Sequence, residues 1–173
     1  MLKLKKTITI IIFFIGLPTN IFAENKIAYL DLDFILSNTN IGKSLFKTIQ
    51  KFESGKIKEL NDKEKILKDE ENKILASKNI ISKEELNKNI SEFQIKLKNY
   101  KNLRLDEIDL LKKKRNKDIL NLLKSINPII EKYMNENSIS ILMDKKNIFI
   151  ADKNFDITEN LIELIDTNFK NWD

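Results

Sequence analysis

Between Lys43 and Asn137 the apolar residues recur at steps of three and four with lysine and glutamate between them, and they never alternate as a strand would. Ile57, Leu60, Leu67 and Ile74 keep a heptad-like spacing, but Glu64 and Glu71 occupy the intervening positions. Further on, Leu86, Ile90, Phe93, Leu97 and Tyr100 hold a similar rhythm, which slips and then resumes at Ile119, Leu122, Ile126 and Tyr133. A seam this narrow and broken can hold two helices together without burying them in a globule. The break between the two falls near residues 77–83. Ser77-Lys78-Asn79-Ile80-Ile81-Ser82 is a polar, turn-forming cluster, and Ser82-Lys83-Glu84-Glu85 has the order of a capping box. So short a link turns the second helix back antiparallel to the first. An arm from Gly42 to Ser77 would extend about 54 Å at helical rise, beyond the radius of a small domain, so residues 42–137 are expected to project as a hairpin.

The flanking residues have a different period. Ile27 to Leu32 alternates, with Ala28, Leu30 and Leu32 on one face and Tyr29, Asp31 and Asp33 on the other, which describes a half-buried strand. Phe34-Ile35-Leu36 reads as a turn of helix, and Thr39 or Asn40 is available to cap the first arm. Pro128 should kink the returning helix near Asn127 and aim Ile129 to Met134 toward the base, with Asn137 as its left-handed end. Ile139 to Met143 and Ile148 to Ala151, separated by Asp144-Lys145-Lys146-Asn147, have the form of a β-hairpin. A closing helix follows Asp156-Ile157-Thr158-Glu159, with Leu161, Ile162, Ile165 and Phe169 on one face. The expected architecture is α+β, mostly α, in which residues 24–41 and 138–173 form a small body around a three-stranded antiparallel sheet. Three short strands and one helix bury little, so the body is expected to close its edges by oligomerising.

Residues 1–23 combine Lys3, Lys5 and Lys6, an apolar run from Thr7 to Leu17, and Ile21-Phe22-Ala23, the order of a secretory signal cleaved after Ala23. Ile21 is large for its place before the cut, so an uncleaved anchor stays open as the alternative. With no cysteine in the chain there is neither a disulfide nor a lipidated N-terminal Cys. Removing the three leader lysines lowers the formal charge from +5 to +2. That remainder is unevenly spread: residues 42–137 hold 23 Lys plus Arg against 16 Asp plus Glu, whereas the rest of the mature chain holds 5 against 10. The arm is basic and the body acidic.

Histidine is absent, no Gly-rich phosphate loop occurs, and the acidic residues lack the spacing of an EF-hand or a two-metal site, so neither catalysis nor a cofactor is expected. Asp31 and Asp33 have no partner for acid-base work and read as solvent-facing. Lys112-Lys113-Lys114-Arg115 behind a secretory signal is a solvated helix face rather than a nucleic-acid site. Asn89-Ile90-Ser91 matches a glycosylation acceptor but falls inside an expected helix.

The opening Ile27-Ala28-Tyr29-Leu30-Asp31-Leu32, the Gly42-Lys43 start of the arm, and the ending Ile141-Leu142-Met143-Asp144, Ile148 to Asp152 and Asp156-Ile157-Thr158 with Leu161 and Ile165 resemble the Skp/OmpH family of periplasmic chaperones. The likeness lies in the order of short motifs around a basic hairpin and spans the mature chain. It implies a trimer whose strands build a central β-barrel, with Ala28, Leu30, Leu32, Ile141, Met143, Ile148 and Ile150 in the oligomerisation body. It also implies an ATP-independent holdase that shelters unfolded outer-membrane proteins between the arms. Lys73, Lys78, Lys83 and Lys88 with Ile90 and Phe93 are then the expected client-binding residues, and the basic arms would steer acidic clients and touch anionic membrane surfaces. The alternatives are a structural coiled-coil tether or adaptor of the envelope, and binding of nucleic acid or envelope polymer.

Overall fold

The computed structural model describes residues 26–172; the leader expected over residues 1–23 lies outside the described residues. The elements run β1 (Lys26–Leu30), α1 (Leu32–Asn38), α2 (Asn40–Ser77), α3 (Lys83–Glu136), β2 (Ile139–Asp144) and α4 (Thr158–Asn168), with single 3-10 turns at Lys145–Asn147 and Lys153–Phe155. Local chemistry places each start. The Asp31 carboxylate accepts from the Phe34 amide at 3.0 Å and caps α1. Thr39 Oγ1 accepts from the Gly42 amide at 3.3 Å and caps α2, while Ser82 Oγ accepts from the Glu85 amide at 3.2 Å and caps α3. At the tip, the Ile80 and Ile81 amides both donate to the Ser77 carbonyl, which ends α2.

The corner between α1 and α2 depends on one residue. A Cβ on Gly42 would lie 1.9 Å from the Leu36 carbonyl oxygen and 2.9 Å from Thr39 Oγ1, so the two helices meet at a distance that only glycine allows. Around this corner lies the core, drawn from β1, α1, the first turns of α2, the last third of α3, and α4. Ile35, Leu45, Leu122, Leu161 and Ile165 are completely buried there, each contributing about 1.5–3 kcal/mol through removal of apolar area from water. Polar ties fix the pieces. Asp166 Oδ1 accepts from the Asn40 amide at 2.7 Å, placing a carboxylate at the positive end of α2. Thr158 Oγ1 accepts from the Asp31 amide at 2.9 Å.

The sheet differs from expectation in sense and in number of strands. β1 and β2 pair in parallel, from Lys26 opposite Ile139 to Leu30 opposite Asp144. The reason is the unequal length of the arms: α3 has 54 residues against 38 in α2, so it runs about 24 Å further. It passes the end of β1 and releases the chain beside the start of that strand. Ile148 to Ala151 forms no strand; past Asn147 the chain is irregular, and β1 instead bridges to Asp156 on its other edge, where the Ile157 amide donates to the Tyr29 carbonyl at 3.0 Å. Ile148 and Ile150 are therefore not strand residues in the single chain. Nor is Leu32, which opens α1 once Asp31 has capped it. The left-handed residue after α3 is Ser138, at φ 57°, rather than Asn137. Pro128 does not interrupt α3, and beyond it Ile130 is buried while Ile129, Tyr133 and Met134 pack against the core, as expected.

Candidate functional site

Two surfaces stand apart from the core: the length of the hairpin, and the outer face of the strand pair. Along the hairpin, Leu60 on α2 and Tyr100 on α3 are the buried contacts beyond the body. They meet through hydrogen bonds as well as packing. Tyr100 Oη donates to Glu64 Oε2 at 2.9 Å and sits 3.3 Å from the Leu60 carbonyl oxygen, and Arg104 approaches the same carboxylate oxygen at 3.4 Å. Burial, with the Glu64 carboxylate beside it, pushes the Tyr100 phenol above its ordinary pKa. The glutamate that interrupts the apolar seam in sequence is thus the acceptor that satisfies the buried tyrosine.

Further ion pairs flank the seam. Lys96 reaches Glu70 at 2.6 Å, and Lys56 bridges Glu59 at 3.3 Å and Glu107 at 3.4 Å. A hydrogen bond to Glu59 and the charge of Glu107 hold the Lys56 ammonium above its usual pKa. Glu107 Oε2 is buried without a hydrogen-bond partner. The Lys114 ammonium lies 5.3 Å from the Phe52 ring centroid. Sequence reading did not find the Lys56–Glu107 pair or the Lys114–Phe52 contact, because both need the register of α2 against α3, which the broken seam leaves undefined.

The sequence-predicted client residues gather around the distal end without forming a pocket. Lys73, Lys78, Lys83 and Lys88 are all exposed, and among the described residues none forms an ion pair. Ile90 is 38 % exposed, whereas Phe93 turns into the seam and is half-buried. The turn presents Ile80, which is 83 % exposed. Apolar exposure continues along the arm at Ile57, Ile66, Leu75, Ile95 and Leu105.

At the body, the two faces of the strand pair have separate roles. Ala28 and Leu30 point into the chain's own core, and Leu32, on α1, packs against it. Ile27, Ile141 and Met143 point outward and are about half exposed, next to Phe155 and the almost fully exposed Phe149 and Ile150. Of these, Ile27, Met143, Phe149, Ile150 and Phe155 line an open recess of about 620 Å³, with Ile148 half-buried at its wall. Among the described residues no group of His, Cys, Asp and Glu is placed to hold a metal, and no helix is long and apolar enough to cross a membrane.

The sequence profile of the family described as outer membrane protein (OmpH-like) matches residues 26–165, from β1 to the heart of α4. The chain belongs to this OmpH-like family. No curated protein matches the sequence. Among solved structures, the fold is similar to a crystal structure from Caulobacter crescentus CB15, assigned provisionally as an outer membrane chaperone (OmpH-like), with a TM-score of 0.76 over 85% of this chain and 87% of that one. The two sequences are 16% identical, so the likeness is one of fold: a mostly helical chain whose long helices leave from a small strand pair.

Proposed function

We propose that this chain is an ATP-independent periplasmic holdase that binds unfolded outer-membrane proteins between helical arms and keeps them from aggregating before membrane assembly. The observation that carries the reading is the arm itself. Over most of their length two long helices bury only Leu60 and Tyr100, while Ile66, Leu75, Ile80, Ile95 and Leu105 stay more than half exposed among unpaired lysines. Weak apolar contacts repeated along a basic arm suit an unfolded barrel protein, whose strands expose alternating apolar residues and unpaired edges. Membership of the OmpH-like family supports a chaperone role in the same direction.

In this reading the mature protein is a homotrimer in the periplasm, and its bodies join through the outward face of Ile27, Ile141, Met143, Phe149 and Ile150. That face supplies the partner-seeking apolar area that a small body would otherwise leave in water. Residues 42–137 act as the arm, and residues 24–41 with 138–173 as the body. Lys73, Lys78, Lys83 and Lys88 make the first encounter with the client and touch anionic membrane surfaces in passing; Ile90 and Phe93 contribute apolar contact. The reading assigns no catalysis and no cofactor.

The test is dilution of a urea-unfolded outer-membrane barrel protein into buffer with the mature chain and without ATP, followed by light scattering and native mass measurement. A holdase keeps the barrel protein soluble and appears as three chains carrying one client. Undiminished aggregation would sink the proposal and favour an envelope tether.

A further inference from the structure

The returning helix is two-sided. At about 100° per residue, and with Tyr100 facing α2, the residues Lys101, Leu105, Ile108, Lys112 and Arg115 follow at steps of four, three, four and three and so remain on one flank. Ile90 and Lys83 extend that line toward the tip. The stripe contains no carboxylate. Leu105 is 67 % exposed and Ile108 38 % exposed, and among the described residues Lys101, Lys112 and Arg115 have no acidic partner. The acids of α3 lie elsewhere: at the same 100° per residue Glu85, Glu92 and Asp106 fall on the other flank and Glu107 and Asp118 line up with Tyr100 toward α2, while Lys96 and Lys56 neutralise Glu70 and Glu107 across the seam.

The recesses confirm that each flank is continuous across both helices. On the acidic side, Lys63, Ile66 and Glu70 of α2 share a groove with Lys96 and Leu103 of α3. On the basic side, the stripe runs down to Arg115, which shares a recess of about 420 Å³ with Lys43, Phe46, Lys47 and Gln50 of α2 near the body. Glu53 is the one carboxylate there. The basic side therefore combines apolar side chains with spaced cations, of which Arg104 pairs with Glu64 while Lys43, Lys47, Lys101, Lys112 and Arg115 form no ion pair among the described residues.

We propose that this flank, from Ile90 to the recess at Lys43 and Lys47, is the surface that holds the client, and that it selects extended polypeptide in which carboxylates alternate with apolar side chains. The inference rests on the chaperone reading and moves the grip from the tip to one side of the arm: Lys83 and Ile90 lie on the stripe, whereas Lys73 lies on the acidic side. The pairing is one of opposite charge, since unpaired cations that outnumber the single carboxylate of Glu53 attract carboxylates, and Leu105, Ile108 and Phe46 receive the apolar residues between them.

The experiment compares two charge-matched variants, Lys101→Gln/Lys112→Gln/Arg115→Gln on the stripe and Lys51→Gln/Lys63→Gln/Lys117→Gln away from it, after circular dichroism shows equal helix content. The probes are a labelled synthetic peptide of alternating Glu and Leu, and a urea-unfolded barrel protein. The stripe variant should bind the peptide about tenfold more weakly at low salt, while the other variant stays within about twofold and the difference shrinks as salt rises. Equal weakening in both variants, or none in either, overturns the assignment of the surface. If barrel protein stays soluble with all three proteins alike, the surface falls and the chaperone reading stands. If the stripe variant alone loses the peptide but even the wild-type chain fails to keep barrel protein soluble, the surface stands and the chaperone reading falls.

Discussion

The body and the arm are built from the same residue types, mostly Ile, Leu, Lys and Glu, yet they hold together by different means. In the body, together with the roots of the arm in the first turns of α2 and the last third of α3, five elements bury Ile35, Leu45, Leu122, Leu161 and Ile165 completely, and glycine at the α1–α2 corner lets backbones touch. In the arm, two helices share a seam that is half ionic, and the hydroxyl of a single tyrosine does the work that a layer of leucines does elsewhere. The body's stability comes from area removed from water; the arm has little area of its own and borrows rigidity from the body at one end. The function proposed above fits this division, since admitting clients of many shapes calls for the second kind of construction and subunit assembly for the first.

The sharpest way to break this contrast is the same truncation at both places. Leu161→Ala in the body should cost about 2–5 kcal/mol in urea unfolding, because it opens a cavity in a close-packed site. Ile66→Ala in the arm, 65 % exposed, should stay within about 0.5 kcal/mol. Equal losses would mean that the arm has a core of its own. Next in size is Gly42→Ala. The added methyl must displace the Leu36 carbonyl, so a loss of about 1–3 kcal/mol is expected in the same urea titration, against a gain for Gly55→Ala, whose Cβ would meet nothing within 4 Å in a helix interior.

Smaller effects test the arm alone. Tyr100→Phe should remove about 1 kcal/mol, visible as faster amide exchange between Leu60 and Tyr100 with the body unchanged. The raised phenol pKa gives this contact a pH signature. It contributes fully below the ordinary tyrosine range near 10 and is lost as pH rises through the higher folded value, so the wild-type arm should loosen in alkali more than the phenylalanine variant. The smallest effect belongs to the body. Burial of Asp144 works to raise its pKa, but the ammonium and amide of Lys146, at 3.0 and 3.1 Å, hold it below the usual carboxylate range. Its contribution is present above about pH 4 and lost below it, and Asp144→Asn should flatten that part of the acid titration.

The same contrast explains what the sequence could convey. Periodicity and caps are local, so the two long helices, the turn near Ile80 and the starts at Thr39 and Ser82 were readable. Strand sense was not, because it depends on how far α3 outruns α2, a difference invisible until both ends are placed. Ile148-Phe149-Ile150 has every strand-forming trait and no strand, since β propensity describes fitness for a half-buried pleated surface and a single chain offers these residues none. Leu32 failed for a smaller reason: one aspartate before it, acting as a cap, converts the end of a strand into the start of a helix. Of the surfaces proposed to act, the exposed lysines near the tip were legible as composition. The division of α3 into a cationic and an acidic side needed a fixed facing residue, which Tyr100 supplies.

The parallel union of β1 with β2 has a consequence in time. Lys26 waits for Ile139, so the first strand to be made stays without its mate until the chain has emerged almost to its end. Closing so long a loop is entropically expensive, and the helical hairpin lowers that cost by bringing distant ends near one another before they join. The prong is thus the first piece able to take shape and the foot the last, which leaves a newly made molecule, for a moment, as itself something that would need sheltering.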